Sequence, residues 1–209
     1  MTSVYLEVGD KRVFACALDW PGWCRAGRDE DQALEALKAY VPRYAPIART
    51  AGVKFPKSAD ELKVVDRLKG SATTDFGAPG AIPKDDAGKL TAAESKRLVA
   101  LVEAAWKEFD RVVAGAPQAL RKGPRGGGRD RDKVVDHVLG AEAGYSRQIG
   151  LRLTEAARGD HTAIASNRAE LLDALAHPRE GIKWPPRYAA RRIAWHVLDH
   201  AWEIEDRSD

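Results

Sequence analysis

Residues 191–207 read RRIAWHVLDHAWEIEDR, and no other stretch constrains the architecture of this chain as strongly. His196 and His200 are four positions apart, so on a helix both project from one face, one turn above the other. Ala189, Ile193 and Glu203 share that face. The spacing 189, 193, 196, 200, 203 follows the inward a/d positions of a packed helix, so the two imidazoles are expected to point at a core. Pro185 and Pro186 suit a helix N-terminus, which predicts a helix over Pro185–Asp206.

Upstream, VVDHVLGAEAGYSRQ (134–148) has the same character: His137 lies in an apolar stripe with Val134, Val138 and Ala141, within a helix predicted over Asp132–Ala157. Thr91-Ala-Ala-Glu94 reads as a capping box opening a helix that runs to Val113, and Thr162–Ala176 supplies another. Four such helices with short breaks predict an antiparallel or crossover four-helix bundle over residues 91–209.

The N-terminal part has a different period. VYLEV (4–8) and RVFACAL (12–18), separated by Gly9-Asp10-Lys11, predict a hairpin. After the turn at Trp20-Pro21-Gly22-Trp23, Ala33, Leu34, Leu37, Val41 and Tyr44 recur at helical spacing over Asp29–Ala48, and Leu62–Val65 is a further extended run. The expectation is a small ββαβ domain over 1–70. Residues 70–88 hold four Gly and two Pro, which predicts a linker at 71–90. The fold class is therefore α+β.

Composition narrows the function classes. With 44% hydrophobic residues in 209, the chain can bury a core, and a net charge of +3 points to neither nucleic acid nor a membrane surface. The opening MTSVYLEVGDKRVF lacks a signal peptide's basic and apolar regions, and no apolar run is long enough to span a bilayer; a soluble, cytoplasmic protein is expected. Cys16 and Cys24 cannot make a disulfide framework or a four-cysteine zinc site, and read as two reduced thiols in or near the sheet.

Three inward imidazoles call for partners. Neutral imidazole ligates zinc, nickel, copper or iron, and a shared cation removes the cost of hiding unpaired polar groups. The alternative is a set of core histidines bonded to one another or to carboxylates. Glu203 could accept a proton or orient an imidazole, or be a solvated helix-end carboxylate. Tyr145, two turns beyond His137, could donate to a substrate or simply pack. Trp195 and Trp202 read as helix packing, and Asp199 and Glu142 fall off the ligand face. The basic stretch 121–133 (RKGPRGGGRDRDK) reads as a solvated loop, and His161 and His177 sit near helix ends.

His137 in VVDHVLGAEAGYSRQ, followed by RRIAWHVLDHAWEIEDR, resembles the DinB/YfiT-like family over residues 90–209. The resemblance implies a bundle binding a divalent metal, zinc or nickel, through His137, His196 and His200. It also implies thiol-dependent transferases, isomerases or hydrolases acting on small molecules with a low-molecular-weight thiol such as mycothiol or bacillithiol, and a homodimer. FACALDWPGWCRAGRDEDQALEALKAY (14–40) is similar to HicB-like domains over residues 4–69. HicB-like antitoxins add a DNA-binding segment and act against an RNA-cleaving toxin. With a bundle in that place, the ββαβ unit reads instead as a docking or dimerisation module, the alternative being a non-enzymatic protein whose HicB-like part recruits a protein or nucleic-acid partner.

Overall fold

The computed structural model describes residues 1–56, 62–123 and 127–208. It is α+β, with a four-stranded sheet formed by the N-terminal part and long helices after residue 91. Strands β1 (Thr2–Val8), β2 (Val13–Ala17), β3 (Cys24–Gly27) and β4 (Leu62–Lys69) lie in the order β3-β2-β1-β4. β1–β2 and β2–β3 are antiparallel, whereas β4 returns parallel to β1.

The expected ββαβ unit is corrected in two places. A third strand, β3, continues the hairpin after the Trp20–Trp23 turn. Its sequence, CRAG, carries no β-branched residue, so pairing with β2 rather than propensity makes it a strand. The expected single helix over 29–48 is two, α1 (Glu30–Ala39) and α2 (Val41–Thr50). Pro42 has no N–H for the next helical bond, so the chain turns at Tyr40 and restarts with the proline in the first turn of α2.

Both faces of the sheet are covered, which is why all five residues of β2 are buried. Val4, Leu6, Ala15 and Ala17 join a core containing Leu37, Tyr44 and Ile47 from α1 and α2. Tyr5, Phe14, Cys16 and Cys24 form a second apolar cluster with Trp195. Gly22, at φ 91°, lets the turn between β2 and β3 lie against the last helix, where a Cβ would come within 2.6 Å of Leu198 Cδ1.

Residues 71–90, expected as a linker, carry structure. A short helix α3 (Ala72–Phe76) is capped by Ser71, and a 3-10 turn spans Lys84–Ala87. Glu7 on β1 is fully buried, and its carboxylate accepts the Gly80 and Ala81 N–H groups at 2.9 Å and the Thr74 hydroxyl. Asp86 is ion-paired with Arg191.

Four long helices follow: α4 (Ala92–Gly115), α5 (Arg131–Ser146), α6 (His161–Ala176) and α7 (Pro186–Asp206). The Thr91–Glu94 capping box is formed in both directions. α5 stops at Ser146 rather than near 157: a 3-10 turn (Arg147–Ile149) leads to Gly150 in the left-handed region (φ 83°), and a segment without regular secondary structure follows. α7 packs on α4, α5 and α6 on one side and meets the sheet through Trp195 on the other. It is consequently buried nearly all round, as expected of a helix between two layers. The apolar core is continuous from Val4 and Trp23 through Leu101 and Phe109 to Leu198 and Trp202. Among the described residues no helix is long and apolar enough to cross a membrane.

Candidate metal centre

The 3.6-residue period of α7 stacks His196 and His200 on the face that meets α5, and His137 of α5 stands opposite. The three rings form a nearly equilateral group, with centroids 5.0 Å (137–196), 4.9 Å (137–200) and 4.6 Å (196–200) apart. One nitrogen from each lies within 4.8 Å of the others. The Nε2 atoms of His137 and His196 are hydrogen-bonded at 3.1 Å, one donating and the other accepting, and His200 bonds Glu203, so this geometry also meets the alternative of histidines bonded to one another and to a carboxylate. Two imidazoles on one ion at ~2.0–2.1 Å, in tetrahedral geometry, have their nitrogens about 3.4 Å apart. The pair needs only a small outward relaxation to admit a cation between the donors.

Electrostatics favour the neutral form at two of the donors, His137 and His196. Burial, followed by the neighbouring imidazoles, holds His196 well below the usual histidine range; burial, His200 and Arg129 lower His137. His200 is oriented from behind: its Nδ1–H donates to Glu203 Oε2 at 2.8 Å, leaving Nε2 for the cluster. Glu203 also accepts from Arg207, one turn on. The hydrogen bond from His200 is the largest cause of its carboxyl lying below the ordinary value. A carboxylate behind a histidine is the arrangement that fixes the tautomer of a metal-ligating imidazole.

Tyr145 sits against the trio, its ring edge-on to His196 at 5.6 Å and 5.1 Å from Trp184. Arg192, one turn before His196, lies over the Tyr145 and Trp195 rings at 5.5 and 4.8 Å. Burial pushes the Tyr145 hydroxyl up, opposed by Arg192. Beyond Glu203, a cavity of about 630 Å³ is lined by Arg121, Lys122, Gly128, Glu203 and Arg207 among others.

The sequence-predicted site residues thus fall in one place: His137, His196 and His200 together, Glu203 behind His200, and Tyr145 beside His196. Arg207 and Arg192 were not anticipated, although each is four residues from a site position (Glu203 and His196) and so was readable from helical spacing. Asp199 turns away to pair with Arg25 of β3 at 2.8 Å, and Glu142 faces α4, accepting from Trp106 Nε1 at 2.7 Å. Trp195 packs edge-on against Phe14, and Trp202 against Tyr40. His161 is exposed at the start of α6, and His177 caps its end beside Asp173. In the basic stretch 121–133, Lys122 pairs with Asp130 and Arg131 with Asp132, while residues 124–126 lie outside the described residues. No protein-family model, curated protein or solved structure matches the chain.

Proposed function

We propose that His137, His196 and His200 hold a divalent cation, zinc or nickel, in a DinB-like four-helix bundle formed by α4–α7, and that the protein is a metal-dependent transferase or hydrolase acting on a small molecule. The observation that carries the reading is the convergence of three imidazoles from two helices, with Glu203 orienting the third. Three neutral ligands leave at least one coordination position for a reactant, the arrangement of catalytic rather than structural sites. A bound cation supplies Lewis acidity there, favouring the deprotonated form of a thiol or water near neutral pH.

The chain's own groups divide the remaining work. Glu203 acts as a positioning residue, holding the Nδ1 proton of His200 and so presenting Nε2 to the cluster. Tyr145 and Trp184 form an aromatic wall on the His196 side, and burial keeps the phenol protonated, fit to donate to a substrate oxygen. The HicB-like segment serves as the docking layer for α7, through Arg25–Asp199 and Phe14–Trp195. A low-molecular-weight thiol is the proposed second substrate.

The test is transfer of a thiol to an electrophilic acceptor by protein loaded with zinc or nickel. Activity that depends on the ion and disappears in His196→Ala supports the reading. Activity unaffected by chelation, or equal in His196→Ala, contradicts it.

A further inference from the structure

Independently of the metal centre, the geometry points to a second reactive site in the sheet: we infer that Cys16 and Cys24 are a dithiol that forms a reversible cross-strand disulfide with disulfide-type oxidants. The two residues are direct partners across β2 and β3. Ala17 N–H donates to Trp23 O at 3.0 Å, so the neighbouring Cys16–Cys24 pair occupies the non-hydrogen-bonded position. At such positions Cα atoms approach to ~4.5 Å and side chains are closest. That separation lies within the range a disulfide spans, ~4.4–6.8 Å.

The sulfurs are already in contact. Sγ of Cys16 is 2.7 Å from Sγ of Cys24, both side chains pointing to the face covered by Trp195. This is inside ordinary non-bonded contact of ~3.5–4.0 Å between carbon-sized atoms, and roughly 0.7 Å beyond a bond of ~2.05 Å. Bonding therefore needs no strand movement, only rotation and a small approach of two side chains.

The chemistry balances with an oxidant of the low-molecular-weight disulfide class. One protein thiol, as thiolate, attacks the small disulfide and expels one small thiol. The second protein sulfur then displaces the other small thiol and closes the Cys16–Cys24 bond. Two electrons pass from the protein sulfurs to the small disulfide, and the two thiol protons end on the two released thiols. Both sulfurs are buried, and burial followed by the bond to Cys16 raises the Cys24 thiol well above its ordinary value. Exchange consequently proceeds when β3, a four-residue edge strand, opens, or while the chain folds. The bond would lie one residue from Arg25, whose guanidinium reaches Asp199 beside His200, so the modified strand is the one that touches the helix of the metal centre.

The experiment incubates the full chain with oxidised glutathione in two arms, folded and during refolding from denaturant, then alkylates free thiols. Trypsin cuts after Arg12 and Arg25, so both cysteines fall in one peptide, residues 13–25. In at least one arm that peptide is expected two hydrogens lighter and unalkylated, returning to two alkylated thiols after reductant. Cys16→Ser and Cys24→Ser should each lose the light peptide. Two alkylated cysteines in both arms, or a bond only between chains, would overturn the inference.

Discussion

α5 carries two polar clusters on different faces, one buried and one half-buried, and they differ in how their charge is met. On one face Glu142, 4% exposed, accepts from Trp106 and lies 3.6 Å from Arg168, which in turn holds Asp110 at 2.8 Å. That cluster contains its own cation. Its arginine is paired with Asp110 as well as lying near Glu142, although the buried Arg168 Nε has no hydrogen-bond partner among the described residues. On the other face His137 meets His196 and His200, with the Nε2 atoms of His137 and His196 hydrogen-bonded at 3.1 Å, and the nearby carboxylate, Glu203, is engaged at the back of His200. The imidazole trio offers three ligand atoms within 4.8 Å of one another instead of an Arg–carboxylate pair, and this contrast is why we propose one as architecture and the other as a site.

The largest expected effect breaks the contrast directly. Zinc or nickel at a thousandfold excess over its Kd should stabilise the chain by about 4 kcal/mol, a rise in Tm of roughly 8–16 °C that a chelator reverses. The same ion should leave His137→Ala nearly unmoved, as thermal unfolding followed by circular dichroism would record. An equal shift in that variant would place the ion elsewhere.

The Glu142 cluster should respond to protons instead. Burial pushes the Glu142 carboxyl up to about 7, against the opposing pull of Arg168. The folded state therefore favours the protonated acid. Its contribution is fully present below the unfolded value near 4.5 and is lost as pH rises through 7. Between pH 5 and 8 the wild type should lose up to about 3 kcal/mol more than Glu142→Gln, whose amide still accepts from Trp106. Urea denaturation of both proteins at the two pH values measures this, and parallel pH profiles would contradict it.

Two smaller effects sharpen the boundary of the site. Glu203→Gln should weaken metal binding by about 10- to 100-fold without abolishing it, because it loosens His200 rather than removing a ligand; competition with a chromophoric chelator gives the ratio. Arg25→Ala, at a partly exposed pair with Asp199, should cost under about 1 kcal/mol and leave metal content unchanged.

The sequence and structure part company where pairing in space takes over from local pattern. The three histidines were legible because helical spacing fixes the side of α5 and α7 on which each lies, and Thr91–Glu94 because a capping box is local. β3 was not, since CRAG has no strand propensity and exists as a strand only by lying on β2. The break at Tyr40 had a visible cause in Pro42, but the apolar period ran through it and suggested one helix. The stretch 71–90 looked like a linker by its Gly and Pro content, whereas Glu7 and Arg191, distant in sequence, tie it down. The partners of Glu142, Trp106 and Arg168, likewise come from two other helices.

The most direct test of the central claim is elemental analysis of untagged protein beside His137→Ala, His196→Ala and His200→Ala. About one zinc or nickel per chain is expected in the wild type and none retained in any of the three variants. A wild type that stays metal-free after supplementation, or variants that keep a full equivalent, would contradict it.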